Sequence, residues 1–161
     1  MDTTLSKYCA PTLFISPKFV IEDEKYKPVY ANDTDYCMDL KVKIESAYSP
    51  IAPKETKVFG TGLKVAVPEG WGLFIIPRSS TGFKLNCMLA NTVGMIDSGY
   101  RDEIKVCVYN FGTETVTLED GQRLCQMYML PRYVIEPQYV KDDENFRQGD
   151  RGGGIGSTGI V

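Results

Sequence analysis

The sequence predicts an all-β protein with one short helix. Short runs of branched and aromatic residues recur along the chain, and Gly, Pro and Asn residues separate them. Many short strands with frequent turns favour a sandwich or barrel over an α/β sheet. At 161 residues, the chain is long enough for one domain with a substantial core. The clearest predicted strands occupy residues 57–59, 63–67, 73–76, 104–108 and 115–118.

The single predicted helix begins near residues 79–81. The segment reads Ser79-Ser80-Thr81, and such hydroxyl side chains can cap the exposed N–H groups of a first helical turn. A helix start also carries partial positive charge and free donors. We therefore expect this position to suit phosphate oxygens.

Residues 91–101 are the most informative stretch of the chain. Gly94 lies between two short apolar runs, which predicts a tight hairpin. The backbone of this hairpin can pair with the edge of a small flat group, Asp97 can orient a water molecule or a sugar hydroxyl, and Tyr100 can lie against a sugar. The same pattern also occurs in hairpins with no role beyond structure.

The chain changes character after Tyr139. Residues 141–145 are charged, and glycine dominates from Gln148 onward. By composition alone this is a disordered tail, because a glycine-rich end loses much conformational entropy when it becomes ordered. An alternative is a mobile arm that closes on a bound ligand. The predicted division is a domain at residues 1–145 and an arm at residues 146–161.

Composition excludes several classes of function. The chain has no histidine, so Ser-His and Cys-His nucleophile pairs and imidazole metal ligands are absent. With 18 basic and 21 acidic residues the net charge is −3, which argues against binding a nucleic-acid polymer. Catalysis must therefore use carboxylates, Lys, Tyr or backbone dipoles.

Cysteine usage and the chain start predict a cytosolic type of compartment. The cysteines are odd in number and never spaced as Cys-x-x-Cys, so we expect reduced thiols rather than disulfides or structural zinc. No basic start precedes an apolar run, and no stretch approaches the ~20 apolar residues of a membrane span. We expect a protein that is neither secreted nor membrane-bound. The five cysteines are Cys9, Cys37, Cys87, Cys107 and Cys125.

Five ordered segments together resemble the motifs of one family, the homotrimeric dUTPases. They occupy residues 35–40, 77–82, 91–101, 121–126 and 151–159. The resemblance implies a distorted jelly-roll-like barrel with a mobile C-terminal arm. It also implies a homotrimer whose sites lie between subunits, with the phosphate motifs from one chain, the hairpin from another and the arm from a third. The implied reaction is hydrolysis of dUTP to dUMP and pyrophosphate with Mg²⁺, which limits uracil in DNA and supplies dUMP for dTMP synthesis.

The same resemblance implies a role for each matching residue. Asp97 would activate the water that attacks the α-phosphorus, and Tyr100 would leave no space for a 2′-hydroxyl. Asp39 and Gln126 would be outer-shell groups of Mg²⁺, acting through water. Base contacts would come from Asn91, Val93, Gly94, Met95, Ile96 and, in the arm, Ile155. Phosphate contacts would come from Arg78, Ser79, Ser80, Gly82, Gln126, Arg151, Gly153, Gly154, Gly156 and Ser157.

Two assignments stay open. Arg123 can equally bind phosphate or support a loop or a subunit contact. The tail is one residue shorter than usual between its arginine and its glycine pair, so either Arg151 or Arg147 can be the phosphate arginine.

The chain also departs from the family pattern. Tyr36-Cys37 stands in place of Ala-Gly, and Asp102 in place of glycine. Ile155 replaces an aromatic residue that covers the uracil ring, a change worth roughly 1 kcal/mol of stacking.

Two other function classes compete with hydrolysis. A deaminating relative would need a glutamate arrangement that no segment resembles. A dUTP-binding regulatory protein would use the arm as a ligand-gated switch. For the hydrolase we expect a cytoplasmic location, or the host cytoplasm or nucleus if the chain is viral.

Overall fold

A computed structural model describes residues 14–143 and 146–149 of the chain. Within those residues, the regular structure consists of strands apart from a single 3₁₀ turn and one short helix. The 3₁₀ turn is Glu24–Tyr26 and the helix is α1 (Ser79–Phe83). The strands are β1 (Lys18–Ile21), β2 (Met38–Lys41), β3 (Tyr48–Ile51), β4 (Thr56–Gly60), β5 (Leu63–Ala66), β6 (Trp71–Pro77), β7 (Cys87–Leu89), β8 (Gly94–Ile96), β9 (Lys105–Asn110), β10 (Val116–Glu119) and β11 (Arg123–Pro131).

All strand pairs in the described part of the chain are antiparallel, and they divide into four small sheets. The largest has the order β2-β11-β6-β8, a second has the order β4-β9-β7, and β1 with β5 and β3 with β10 form two-stranded pairs. Within the described residues these sheets do not join into one closed barrel. Separate sheets enclose one core instead of the predicted barrel. The all-β class with one short helix is confirmed.

Alternating side chains of the strands build the core. In β5, Leu63 and Val65 are buried while Lys64 is exposed, and β9 buries Val106 and Val108. This period of two is what a half-buried strand requires, because successive side chains point to opposite faces. All five predicted strand runs are confirmed within a residue or two of the observed bounds.

The predicted helix is confirmed, but its predicted capping is wrong. The helix α1 has Arg78 at its N-cap position, and no side chain caps it. The hydroxyl of Thr81 donates instead to the carbonyl of Leu124, at 2.6 Å. That bond is buried and ties the helix to β11, so the hydroxyl serves packing rather than capping.

The stretch around Gly94 is not a hairpin of two mutually paired strands, which corrects the prediction. The strand β7 pairs with β9, whereas β8 pairs with β6 of a different sheet. Residues 90–93 are therefore a crossing between sheets, and Gly94 begins a strand. Local alternation of apolar residues cannot tell which partner a strand will take.

Among the described residues, none of the helices has the length and apolar character needed to cross a membrane. The six arm residues to which roles were assigned lie outside the described residues; they are Arg151, Gly153, Gly154, Ile155, Gly156 and Ser157.

Candidate functional site

Three neighbouring strands bring four of the candidate residues together around one buried carboxylate. Asp39 on β2 lies directly opposite Gln126 on β11. Arg123 begins β11, and Arg78 directly follows β6, which pairs with the other side of β11. The antiparallel register therefore places residues that are distant in sequence at one end of the sheet.

The carboxylate of Asp39 is the centre of this cluster. Its side chain is 2% exposed and pairs with both arginines. Arg78 donates from Nε to Oδ1 at 2.9 Å, and Arg123 donates from Nη1 to Oδ2 at 3.0 Å. Gln126 adds a bond from Nε2 to Oδ1 at 3.3 Å. A buried carboxylate is stable only when it is paired in this way.

Both guanidinium groups keep capacity for an anion. The side chains of Arg78 and Arg123 are 25% and 44% exposed, and Asp39 accepts one N–H from each. Arg78 Nη1 reaches the carbonyl of Arg123 at 3.5 Å, a long contact. The remaining donors form the planar fork that matches carboxylate or phosphate oxygens. The cluster thus contains two fixed guanidinium groups and one carboxylate that neutralises part of their charge.

The start of α1 continues this cluster. Ser79 is exposed and Ser80 is half-buried, and both directly follow Arg78. Gly82 is half-buried and has open space where a side chain would extend. The buried hydroxyl of Thr81 fixes this turn against β11, so the two serines that follow Arg78 lie on a fixed backbone.

Residues 91–96, to which base contacts were assigned, form the sheet crossing and β8. Thr92 has a φ of 61°, which is strained for a β-branched residue. The amide of Thr92 donates to the carbonyl of Leu89 at 2.9 Å, and that of Val93 donates to the carbonyl of Asn91 at 2.7 Å. Val93 and Met95 are exposed, whereas Ile96 packs against the core. The segment presents backbone and apolar groups on an open surface.

Asp97 and Tyr100 lie in one tight turn directly after β8. The amide of Tyr100 donates to the carbonyl of Asp97 at 3.1 Å, and the Tyr100 hydroxyl donates to the carbonyl of Glu103 at 2.9 Å. Both side chains are exposed in the single chain. Both side chains are therefore accessible to a ligand or to another chain.

A single chain does not bring Asp97 to the arginine cluster. The register of β6 and β8 pairs Leu73 with Ile96, so Asp97 lies beside Gly72, at one end of β6. Arg78 lies beyond the other end. The six residue steps from Gly72 to Arg78 span about 20 Å at the rise of a strand. The structure therefore separates the predicted sites into two half-sites.

A cavity of about 640 Å³ lies at the Tyr100 end and not at the arginine end. Its walls include Tyr100, Glu103, Gly62 and Lys64. None of the cluster residues around Asp39 lines it. A site that another chain completes would not form a cavity in one chain alone.

Donors for a metal ion are few in the described part of the chain. No three or more His, Cys, Asp or Glu residues there form a group that could hold a metal. Asp39 already accepts from two arginines. This donor set does not fit an ion held by protein ligands alone, but it fits an ion that arrives with a polyphosphate and keeps its water.

The described cysteines are free thiols, as expected. Burial raises the pKa of Cys125 to about 12. Burial, followed by the nearby charges of Asp39 and Asp35, also raises the pKa of Cys37. These thiols are protonated at neutral pH and are poor nucleophiles.

Sequence reasoning left the role of Arg123 open and missed Glu103. In the structure, Arg123 donates to the same carboxylate as Arg78. That carboxylate belongs to Asp39, which is 84 residues from Arg123 in sequence. No local pattern carries that pairing. Arg147, the alternative tail arginine, donates from Nε to Asp142 at 2.6 Å and makes a second bond to the same carboxylate.

Comparisons with known proteins agree on one family. A dUTPase family model matches residues 24–159. The deoxyuridine 5′-triphosphate nucleotidohydrolase of Escherichia phage T5 is 44% identical over 110 residues, 68% of this chain and 72% of the phage protein. The protein of the same name from Polynucleobacter necessarius is 38% identical over 144 residues, 86% of this chain and 94% of that relative.

Solved structures share the fold. A mutant dUTPase from phage phi11 of S. aureus, described with a structural Mg(II) ion, matches with a TM-score of 0.69 at 19% identity. The match covers 80% of this chain and 98% of the phage protein. The fold is thus that of the dUTPase structures, which confirms the jelly-roll-like class.

Proposed function

The chain belongs to the dUTPase family, and on that premise we propose that it hydrolyses dUTP to dUMP and pyrophosphate. The observation that carries the proposal is the pair of arginines held on the buried carboxylate of Asp39. Two fixed guanidinium forks at a surface suit a polyphosphate chain better than a neutral substrate. The names of the curated relatives agree with this substrate.

Phosphate binding would occur at the arginine cluster and the start of α1. Arg78 would bind phosphate oxygens, Ser79 and Ser80 would donate from their hydroxyls, and Gly82 would allow close approach of the backbone. Arg123 joins this set because it shares the carboxylate of Asp39 with Arg78. Gln126 lies on the same carboxylate and can turn its amide toward a phosphate or its water.

Water activation would fall to Asp97. It is an exposed carboxylate in a tight turn, and the chain contains no histidine to act in its place. As general base it would take a proton from the water that attacks the α-phosphorus and hold that water in line. Tyr100, three residues later in the same turn, would pack against the sugar and reject a 2′-hydroxyl sterically.

The exposed edge of residues 91–96 would recognise uracil. The outer backbone edge of β8, whose other side pairs with β6, would pair with the base, and cytosine would leave buried groups unpaired because its donor and acceptor pattern is reversed. Gly94 and Ile96 would set the depth of the base site, while Asn91, Val93 and Met95 line its open side.

We propose that the active unit is a homotrimer. About 20 Å separates Asp97 from Arg78 along β6 of one chain, so one phosphorus cannot meet both. A second chain that brings its own turn to the arginine cluster would close this gap. The arm of a third chain, with Gly153, Gly154, Gly156 and Ser157, would cover the phosphates, assisted by Arg151 or Arg147 and with Ile155 over the base.

Magnesium would enter with the substrate. The ion would neutralise charge on the triphosphate, and Asp39 and Gln126 would contact its water shell rather than the ion. The reaction would limit uracil in DNA and supply dUMP for dTMP synthesis. We place it in the cytoplasm, or in the host cytoplasm or nucleus if the chain is viral.

The test is pyrophosphate release from dUTP, with dCTP as the competing substrate. The parent should release pyrophosphate from dUTP, and Asp97→Asn should bind dUTP but lose ~10²–10⁴-fold in turnover. Asp102→Asn is the matched control, because it removes another carboxylate from the same loop. A parent without activity on dUTP contradicts the function, and an active Asp97→Asn variant contradicts the role of Asp97.

A further inference from the structure

We propose that Glu103 is a positioning residue that sets sugar discrimination by fixing Tyr100. The inference rests on the proposed function, in which Tyr100 packs against the deoxyribose. It concerns a side chain that does not itself reach the substrate. The structure links the two residues directly, because the Tyr100 hydroxyl donates to the backbone carbonyl of Glu103 at 2.9 Å.

The carboxylate of Glu103 anchors this loop to the body of the protein. Its Oε1 accepts the amide of Thr61 at 3.1 Å and that of Gly62 at 2.8 Å. These are charge-assisted bonds to backbone groups on a different part of the chain. The side chain is 25% exposed, and Lys43 Nζ lies 3.9 Å from the same oxygen.

The turn that receives Glu103 is shaped for it. A Cβ atom on Gly60 would lie 2.5 Å from Glu103 Oε1, so the glycine leaves space for the carboxylate in its observed place. Gly62 has a φ of 64°, and this conformation aims its amide at the carboxylate. Both glycines therefore favour the same contact.

The next residue completes a rigid base for the loop. The amide of Ile104 donates to the carbonyl of Leu63 at 2.9 Å, and the hydroxyl of Thr61 donates to the carbonyl of Ile104 at 2.8 Å. Ile104 is fully buried. The backbone of Glu103 is consequently held from its side chain and from its following residue, and Tyr100 is held through that backbone.

Two interactions within the loop do not replace this anchor. Arg101 Nη1 donates to the carbonyls of Ser98 and Tyr100, at 2.5 and 2.7 Å. Both acceptors belong to the loop itself. These bonds can keep the loop compact, but they cannot fix where it lies relative to the sheets. Loss of the Glu103 carboxylate should therefore let the Tyr100 ring move away from the sugar.

The experiment compares dUTP and UTP for the parent, Glu103→Ala, Glu103→Gln and Tyr100→Phe. The ratio of kcat/KM for dUTP to that for UTP should fall about three- to tenfold in Glu103→Ala, as expected for a lost hydrogen-bonded anchor. Glu103→Gln keeps an acceptor oxygen and should retain most of the ratio. Tyr100→Phe keeps the ring but removes its bond to Glu103, so its ratio should fall by a similar factor.

The double variant Glu103→Ala/Tyr100→Phe distinguishes positioning from general destabilisation. If the two bonds act in series to hold the Tyr100 ring, the double variant should discriminate about as well as either single variant. Asp102→Ala is the control within the loop and should keep the parent ratio. Binding of the non-hydrolysable α,β-imido analogues of dUTP and UTP gives the same comparison without turnover.

Several outcomes overturn the inference alone. One is a parent that hydrolyses dUTP while Glu103→Ala keeps its discrimination. Another is a double variant whose losses multiply. A parent that binds the dUTP analogue without hydrolysing it contradicts the proposed function, and the binding ratio then decides on Glu103. A parent that neither binds nor hydrolyses overturns both.

Discussion

Replacing the buried carboxylate of Asp39 by asparagine should lower both the stability of the protein and its hold on phosphate. Asparagine has nearly the same shape, but it has no charge and presents an NH₂ group toward one of the arginine donors. Two guanidinium groups would then lie together without their counter-charge. The change thus tests whether the cluster is organised around this carboxylate.

The magnitude follows from the exposure of each partner. The Asp39 side chain is 2% exposed, and Arg78 at 25% is the better-shielded arginine, so the Arg78–Asp39 bond contributes about 1.5–3 kcal/mol. Arg123 is 44% exposed, and its share is about 0–1 kcal/mol. We expect a loss of about 2–4 kcal/mol in unfolding free energy, or about 5–15 °C in Tm for a chain of this size.

The assay is urea unfolding followed by circular dichroism, at one fixed protein concentration because assembly shifts apparent stability. Glu24→Gln is the control, since Glu24 pairs with Lys27 at 3.5 Å on an exposed surface. It should change nothing measurable. The KM for dUTP should rise in Asp39→Asn but not in the control variant Glu24→Gln. An Asp39→Asn variant with the parent's stability and KM would refute the view that Asp39 holds the arginines.

Four further outcomes test other parts of the molecule. Thr92→Asn should raise unfolding free energy by about 1 kcal/mol, because asparagine tolerates the left-handed φ of 61°; Thr117→Asn, in the exposed part of β10, should lower it. Although burial raises the pKa of Asp120, hydrogen bonds from Lys25, Ile44 and Tyr26 leave it lowered. The parent should therefore have a higher unfolding free energy than Asp120→Asn at neutral pH. This difference should disappear as pH falls below about 4. Truncation before Gln148 should leave melting without ligand unchanged yet sharply reduce turnover, and unchanged turnover would contradict a closing arm. Ile155→Phe should raise kcat/KM for dUTP, and equal kinetics would mean that closure does not use a stacked ring.

The local features of the fold were predictable from the sequence. Short runs of branched and aromatic residues located strands such as β5 and β9, because these side chains favour the strand conformation locally. The position of α1 was likewise visible in Ser79-Ser80-Thr81. Partner choice was not visible. The segment before Gly94 looked like a hairpin, but its two strands belong to different sheets, and only the packing of the whole chain decides this.

The same limit applies to the candidate site. The motifs identified Arg78, Gln126 and Asp39 one by one, each from its immediate neighbours in sequence. Their convergence on one carboxylate depends on the register of β2, β11 and β6. Arg123 could not be assigned before that register was known. Glu103 was missed because its partners are backbone amides, which carry no signal in the residue types.

Each proposed half-site is anchored by a carboxylate. Asp39 holds the arginines of the proposed phosphate half, and Glu103 holds the turn of the proposed sugar half. Two arginines and one aspartate leave a net charge of about +1, enough to attract a phosphate chain while limiting repulsion between the guanidinium groups in its absence. Since the halves lie at opposite ends of β6, a single chain keeps them rigid but apart. In the proposed trimer, folding would fix the geometry of each half-site, and assembly of the chains would bring the two halves together.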